Sequence, residues 1–432
     1  MIPEVLILLA AGFDAKNFLA GCVMEVSDLQ DMSLEQTLFH LHEPILFKNV
    51  LRSSEDSNSW KILDWSLHDF ANKLGNRKLP FRVGKNIATD SPQWEVETPT
   101  KNKTMKEFLQ ETMQGSNSQW YYFDYKRMNQ WFEELPEILE SIDWSQFGSE
   151  LTGYDSTIWI GSKGAHTNCH QDTYGCNLVA QTHGRKFWLL FSPDCYDRLK
   201  VTRVPYEEST IYSSFNFFSP GDREIQAIKK MMPGSAKIIV LEPKDVLFIP
   251  RGWWHYVESL NTSLSINVWL PVEEDCNARL RETLVHLVMD TIGKDITRTE
   301  HHQESTVAEC FQFVQNSLEE CQKVQTSDDE VLAKRRRPNI DQERLLSALK
   351  EKYSRHVQHI ADLTSENLIL FLKKNDVGNS FNSQRINIHQ NQELSKEGLY
   401  AAVVDAFCHP SVISRVSEIL VDRFVEKKSD DV

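Results

Sequence analysis

Two histidines and an aspartate offer the clearest chemistry in this sequence. His170 and Asp172 form a His-x-Asp pair, and His255 follows 85 residues after His170, in the segment PRGWWHYVES. Two imidazoles and one carboxylate suit non-haem Fe(II): they fill three coordination positions and leave the others open for a co-substrate and oxygen. Residues i and i+2 of a strand point the same way, so His170 and Asp172 can reach one ion from a strand or a strand end. Taken alone, the pair reads better as a surface hydrogen-bonding pair. His255 shifts that balance. It follows an apolar strand that Pro250 and Gly252 end in a turn, and Trp253 and Trp254 are large enough to anchor the turn and wall off one side of the histidine. The bland alternative for that segment is two core tryptophans beside a satisfied core histidine.

Lys186 lies in HGRKFWLLF, a turn followed by an apolar strand. A cation on the inward face of such a strand is costly unless it meets an anion. The distal carboxylate of 2-oxoglutarate is such an anion, with Thr167 and Tyr122 as added hydroxyl donors. Strand register decides whether Lys186 or Arg185 points inward. Asn177 and Asn267 are polar residues inside apolar strand runs, where buried polar groups need partners that a ligand can supply.

These residues need strands to carry them. From Ser156 to Leu270 the chain reads as short strands: Thr157–Gly161, Asn177–Gln181, Lys186–Phe191, Lys237–Leu241, Val246–Ile249 and Ser263–Leu270. Turn signals at His183-Gly184, Ser192-Pro193, Glu242–Asp245 and Asn261 separate them. Many short strands with regular turns predict a sandwich or barrel. Residues 201–233 read as an inserted loop without periodic features. Before this core, residues 31–150 alternate helices (Ser33–His42, Ser66–Leu74, Thr104–Thr112) with strands (Glu43–Asn49, Leu79–Val83, Trp120–Phe123). After Pro271, helical spacing covers Asn277–Ile292, Val307–Val324, two parts of Asp341–Lys373, and Lys396–Val425. The expected division is therefore a leader over 1–30, an α/β part over 31–150, a β core over 151–275 and a helical appendage over 276–432. A polar linker falls near 325–340. No internal repeat is visible.

The 432 residues exceed one compact core. The net charge of −15 argues against non-specific nucleic-acid binding, which rests on basic residues neutralising phosphates. Cys22, Cys169, Cys176, Cys195, Cys276, Cys310, Cys321 and Cys408 are scattered without a C-x-x-C pair. A structural zinc site is therefore not expected, and a reducing intracellular compartment is. The N-terminal run ending in LAGC resembles a lipoprotein cleavage box. It lacks a basic n-region and carries Glu4, Asp14 and Lys16, so it reads as a leader or buried helix. No apolar stretch is long enough to span a bilayer. The run Lys334–Arg337 before Pro338 reads as a solvated linker or a nuclear import signal.

With these residues in view, residues 40–271 resemble the JmjC branch of the cupin-fold 2-oxoglutarate oxygenases. The matching pieces are TNCHQD, QTHGRKFWLLFSP, EPKDVLFIPRGWWHYVES and SINVWL. The resemblance implies a mainly β double-stranded β-helix (a cupin jelly roll) with flanking helices. It implies iron held by His170, Asp172 and His255, and the 2-oxoglutarate C5 carboxylate held by Thr167 and Lys186 with help from Tyr122. Asn177, Asn267 and Trp269 would line the pocket. It further implies association with a small heat-shock protein and a cytoplasmic stress-response role. Three functions compete on this basis: a hydroxylase-type dioxygenase, an adaptor for a small heat-shock protein, and a tRNA-base hydroxylase, which the acidic charge disfavours.

Overall fold

The computed structural model describes residues 32–53, 59–95, 98–114, 118–203, 211–272, 274–292, 307–326, 341–353, 356–373, 403–404 and 406–424. The leader, the basic run at 334–337 and most of the expected linker lie outside them. Among the described residues no helix is long and apolar enough to cross a membrane.

The strands are β1 (Ile45–Phe47), β2 (Lys78–Lys85), β3 (Thr100–Thr104), β4 (Gln119–Arg127), β5 (Thr157–Gly161), β6 (His166–Gln171), β7 (Cys176–His183), β8 (Lys186–Phe191), β9 (Val201–Arg203), β10 (Ile211–Ser213), β11 (Ala236–Leu241), β12 (Val246–Ile249), β13 (Trp254–Ser259), β14 (Ser263–Leu270) and β15 (Val357–His359). They form a larger sheet in the order β15-β1-β12-β7-β14-β5-β4-β2-β3 and a smaller one in the order β11-β8-β13-β6-β10-β9. From β5 to β8, and again from β11 to β14, successive strands alternate between the two sheets. That alternation is the double-stranded β-helix that the family resemblance implies.

Period-two patterning makes each core strand two-faced. In β14, Leu264, Ile266, Val268 and Leu270 join the outer apolar cluster, while Ser265, Asn267 and Trp269 line the space between the sheets. In β7, Leu178 and Ala180 face out, and Asn177 and Val179 face in. Burying both faces leaves almost no exposed surface on these strands. Each fully buried Leu, Ile or Phe contributes roughly 1.5–3 kcal/mol before entropy is counted.

The outer face of the larger sheet is covered by the N-terminal part: α1 (Leu34–His40), α2 (Leu67–Leu74), α3 (Met105–Gln114), α4 (Met128–Phe132) and α5 (Pro136–Leu139). Ser33 with Gln36, and Ser66 with Asp69, form capping boxes that start α1 and α2. The outer face of the smaller sheet lies beneath α6 (Asp222–Ser235), whose Ile228 and Met231 pack with Phe187, Leu189 and Trp254. The segment 201–233 is thus not featureless: it supplies β9, β10 and most of α6. Its strands are only three residues long, too short to show periodicity.

The C-terminal region differs from a purely helical appendage. Helices α7 (Asp275–Ile292) and α8 (Val307–Thr326) pack on each other and on α11 (Pro410–Phe424) around their own cluster. Between them in sequence, α9 (Gln342–Tyr353), β15 and α10 (Ser365–Lys373) run back along the β core. β15 extends the larger sheet by pairing with β1. Asp362 bridges to Lys237 at 3.1 Å on the edge of the smaller sheet, and Phe371 stacks on Phe187. This strap covers one edge of each sheet, β1 in the larger and β11 in the smaller, where backbone groups would otherwise be unpaired.

Candidate metal centre

The metal-ligand candidates come from two neighbouring strands and the loop that follows one of them. His170 is near the end of β6, and His255 lies directly opposite it on β13. His255 therefore stands in a strand, not in the turn expected from Pro250 and Gly252. The turn closes earlier, and Trp254 already belongs to β13. Their rings are 4.2 Å apart between centroids. Asp172 Oδ1 sits 3.6 Å from His170 Nε2 and 3.7 Å from His255 Nε2. Those separations are too long for hydrogen bonds but suit donors arranged around one ion, about 2.1 Å from each nitrogen. All three donor atoms lie within 4.8 Å of one another.

The surroundings fix these groups in a ligating state. His170 Nδ1 meets the Asn168 carbonyl at 2.8 Å, and His255 Nδ1 meets the Trp253 carbonyl at 3.1 Å. A proton on each Nδ1 leaves the Nε2 lone pairs facing Asp172. Burial, helped by the neighbouring His170, pushes the His255 pKa down to about 4 against the partial opposition of Asp172, so at neutral pH this imidazole is uncharged and able to donate. Burial opposes ionisation of Asp172, but His255, His170 and the Asn177 amide outweigh it and hold the carboxyl well below the usual carboxylate range. Asp172 Oδ2 accepts from Asn177 Nδ2 at 2.9 Å and from Trp269 Nε1 at 3.2 Å, which turns Oδ1 toward the histidines. The chain of bonds continues outward: Asn267 Nδ2 donates to Asn177 Oδ1, and Trp159 Nε1 donates to Asn267 Oδ1.

Below the triad, Lys186 points inward and its residue is 2% exposed, while Arg185 faces solvent. Its Nζ donates to Ser265 Oγ at 2.8 Å and to Tyr122 Oη at 3.2 Å. It also sits over the Tyr122 and Trp159 rings. Tyr122 lies opposite Gly161, where an added Cβ would come 3.2 Å from the Tyr122 ring and 2.7 Å from Ser259 Oγ. The glycine leaves room for that tyrosine. Together these residues line a cleft with Thr167, Trp188 and Val257. The indole N–H of Trp188 is buried without a hydrogen-bond partner. A buried cation among hydroxyls beside a triad of ligating side chains fits a metal ion with a small anionic ligand next to it.

Thr167 and His170 are three apart, so regular alternation would send them to opposite faces. A bulge in β6 corrects this: His170 pairs with His255 and Thr167 with Val257, so three steps on β6 match two on β13. The extra residue lets both side chains face the cleft. Of the expected pocket residues, the structure brings together His170, Asp172, His255, Thr167, Lys186, Tyr122, Asn177, Asn267 and Trp269. Trp254 is the exception. It alternates with His255, faces away from the cleft, and packs with Cys169, Tyr256 and Phe191. The reading missed Ser265, Trp159, Val179, Trp188, Val257 and Tyr212. The Ser265-x-Asn267-x-Trp269 alternation pointed to Ser265. No pattern pointed to Tyr212, which pairs opposite His170 from the insertion and stacks on its ring at 5.4 Å.

Residues 32–275 match the model of the cupin-like domain family. The chain is 35% identical over 271 residues to HSPB1-associated protein 1 of Mus musculus, covering 60% of this chain and 54% of that protein. It is 37% identical over 265 residues to HSPB1-associated protein 1 homolog of Danio rerio, covering 58% and 56%. It is 29% identical over 239 residues to Lysine-specific demethylase JMJ30 of Arabidopsis thaliana, covering 54% and 51%. The chain spans about half the length of the curated relatives it matches. Sheet topology, site geometry and family match agree, and the chain belongs to the JmjC branch of the cupin-like domain family.

Proposed function

We propose that this chain is an Fe(II)- and 2-oxoglutarate-dependent oxygenase of the hydroxylase type. The observation that carries the reading is the pairing of an open-sided His170–Asp172–His255 triad with the buried Lys186 beneath it. Bound iron and 2-oxoglutarate would supply the oxidising chemistry for a C–H bond, with decarboxylation of the co-substrate to succinate. The chain's own residues do the positioning. His170, Asp172 and His255 hold the metal on one side, and Asn177 and Trp269 orient the carboxylate. Lys186 neutralises the distal carboxylate, with Thr167, Tyr122 and Ser265 as hydroxyl partners. Trp159, Trp188 and Trp269 restrict water in the cleft. Cytoplasmic residence belongs to the same proposal, supported by the thiols of the described cysteines.

The test is anaerobic titration of the full chain with Fe(II) and 2-oxoglutarate, watching for their visible charge-transfer band, followed by oxygen and succinate measurement. His170→Ala and Asp172→Ala should abolish both signals while keeping the fold. Undiminished decarboxylation by both variants would overturn the reading.

A second reading makes the chain an adaptor for a small heat-shock protein in a stress response. It is favoured by relatives named HSPB1-associated protein 1 and by Phe311 and Phe313 on α8, which are 57% and 50% exposed. Phe311→Ser with Phe313→Ser should weaken capture of a small heat-shock protein by the full chain. Undiminished capture excludes these two side chains as the contact.

A further inference from the structure

Two thiols outside the cleft stand together at the junction of α7 and α8. Cys276 lies in the first turn of α7 and Cys321 near the end of α8, and both are buried in one apolar cluster with Leu280 and Val314. Both carry thiols that hydrogen-bond each other, and Cys321 Sγ also lies 3.8 Å from Asn277 Oδ1. Cys276 is 5% exposed and Cys321 1%. Arg279 and Glu320, which flank the pair and bridge each other at 2.7 Å, have side chains 43% and 39% exposed.

The surroundings also distinguish the two sulfurs. The hydrogen bond from Cys321 lowers the Cys276 pKa against the opposing effect of burial, and the Asn277 backbone N–H and Arg279 assist. The same bond, together with burial, raises Cys321. A thiol at a helix N-terminus beside a second thiol is the arrangement in which one sulfur reacts and the other resolves.

The position matters because of Asp275, the residue before Cys276. Asp275 Oδ1 accepts the Gly175 N–H at 2.8 Å, and Oδ2 accepts the Val272 N–H at 2.9 Å. Gly175 sits between Asp172 and Asn177. Its positive φ and close approach to the Leu270 carbonyl tie that loop to the end of β14. The first turn of α7 thus anchors the loop that follows the Asp172 ligand.

We propose that Cys276 and Cys321 are a redox-modification site, closing to a reversible disulfide that joins α7 to α8 when the chain meets hydrogen peroxide. The Cys276 thiolate attacks one peroxide oxygen, the O–O bond breaks, and hydroxide leaves as water after protonation, with Cys276 left as the sulfenic acid. The Cys321 sulfur then attacks the Cys276 sulfur. The S–S bond forms, the S–O bond breaks, and the Cys321 proton leaves with hydroxide as a second water. Two thiols lose two electrons in all, and one peroxide becomes two waters.

The experiment treats the reduced full chain with hydrogen peroxide, alkylates the remaining thiols, and maps the peptides by mass spectrometry. The expected result is a Cys276–Cys321 cross-link, a loss of roughly 2 Da, and two fewer alkylated cysteines, all restored by dithiothreitol. In Cys321→Ser a cyclic 1,3-diketone should trap a sulfenic acid at Cys276. In Cys276→Ser it should trap none at Cys321. Separate alkylation of both thiols after peroxide, cross-linking of either to Cys310 or Cys408, or trapping at Cys321 in place of Cys276 overturns the proposal. Native circular dichroism of both serine variants makes their results readable.

Discussion

Replacing Asn177 by Leu probes how Asp172 is held. The substitution keeps approximate shape and removes the 2.9 Å bond to Asp172 Oδ2, and it deprives Asn267 Nδ2 of its acceptor. A hydrogen bond to a charged group is worth about 1.5–3 kcal/mol. At about 1.4 kcal/mol per decade, metal affinity should fall roughly 10- to 100-fold. That range matches the cost of losing an outer partner of a metal ligand. Trp269→Phe removes the longer, 3.2 Å donor to the same oxygen. Its acceptor is the same charged oxygen, but the bond is longer, so the lower end of that range, about 1.5 kcal/mol, predicts a loss of about tenfold. The assay is Co(II) titration followed by visible absorption, with a urea midpoint for each variant to establish folding. If Asn177→Leu is folded and binds Co(II) within about threefold of the unsubstituted chain, the carboxylate does not need this support. A larger effect from Trp269→Phe than from Asn177→Leu would refute the ranking of the two donors.

Lys186→Met should leave Co(II) binding intact and weaken 2-oxoglutarate by about 10²–10⁴-fold, since losing one partner of a buried pair costs about 3–5 kcal/mol; a normal ligand-induced spectral change would contradict it. In the metal-free chain His255 takes up its proton near pH 4, whereas an unfolded histidine does so near 6.5. The unfolded state therefore holds the extra proton between these values, and stability should fall as pH drops from 6.5 toward 4, by a few kcal/mol at most. Urea midpoints measured across that window should lose part of this slope in His255→Gln, and an identical slope would show that another group titrates. A chain ending at 340 loses α9, β15 and α10, which bury Val357, Leu345, Leu349, Leu368 and Phe371, together with α11, which contributes Ile413 to the α7–α8 cluster. It should aggregate on size-exclusion chromatography, and a monodisperse product with an unchanged urea midpoint would show that the strap is dispensable.

The sequence by itself determined the strand faces and the candidate ligand set. Alternation in β14 and β7 is a local property, because successive side chains of a strand must point to opposite sides, and it separated Asn177, Asn267 and Trp269 from their apolar neighbours. His170-x-Asp172 and His255 could be named from residue type and context. Tertiary structure decided what depends on pairing between distant strands. The bulge that turns Thr167 to the same side as His170 exists only in the register of β6 against β13. The outward placement of Trp254 follows from where β13 begins, which Pro250 and Gly252 leave open. Tyr212 reached His170 through a three-residue strand too short to carry a period. The C-terminal strap looked helical because β15 is equally short, and its strand character comes from the free edge of β1. Short-range pattern reports which way a side chain faces, whereas the partner it faces is set by hydrogen bonding across the sheet.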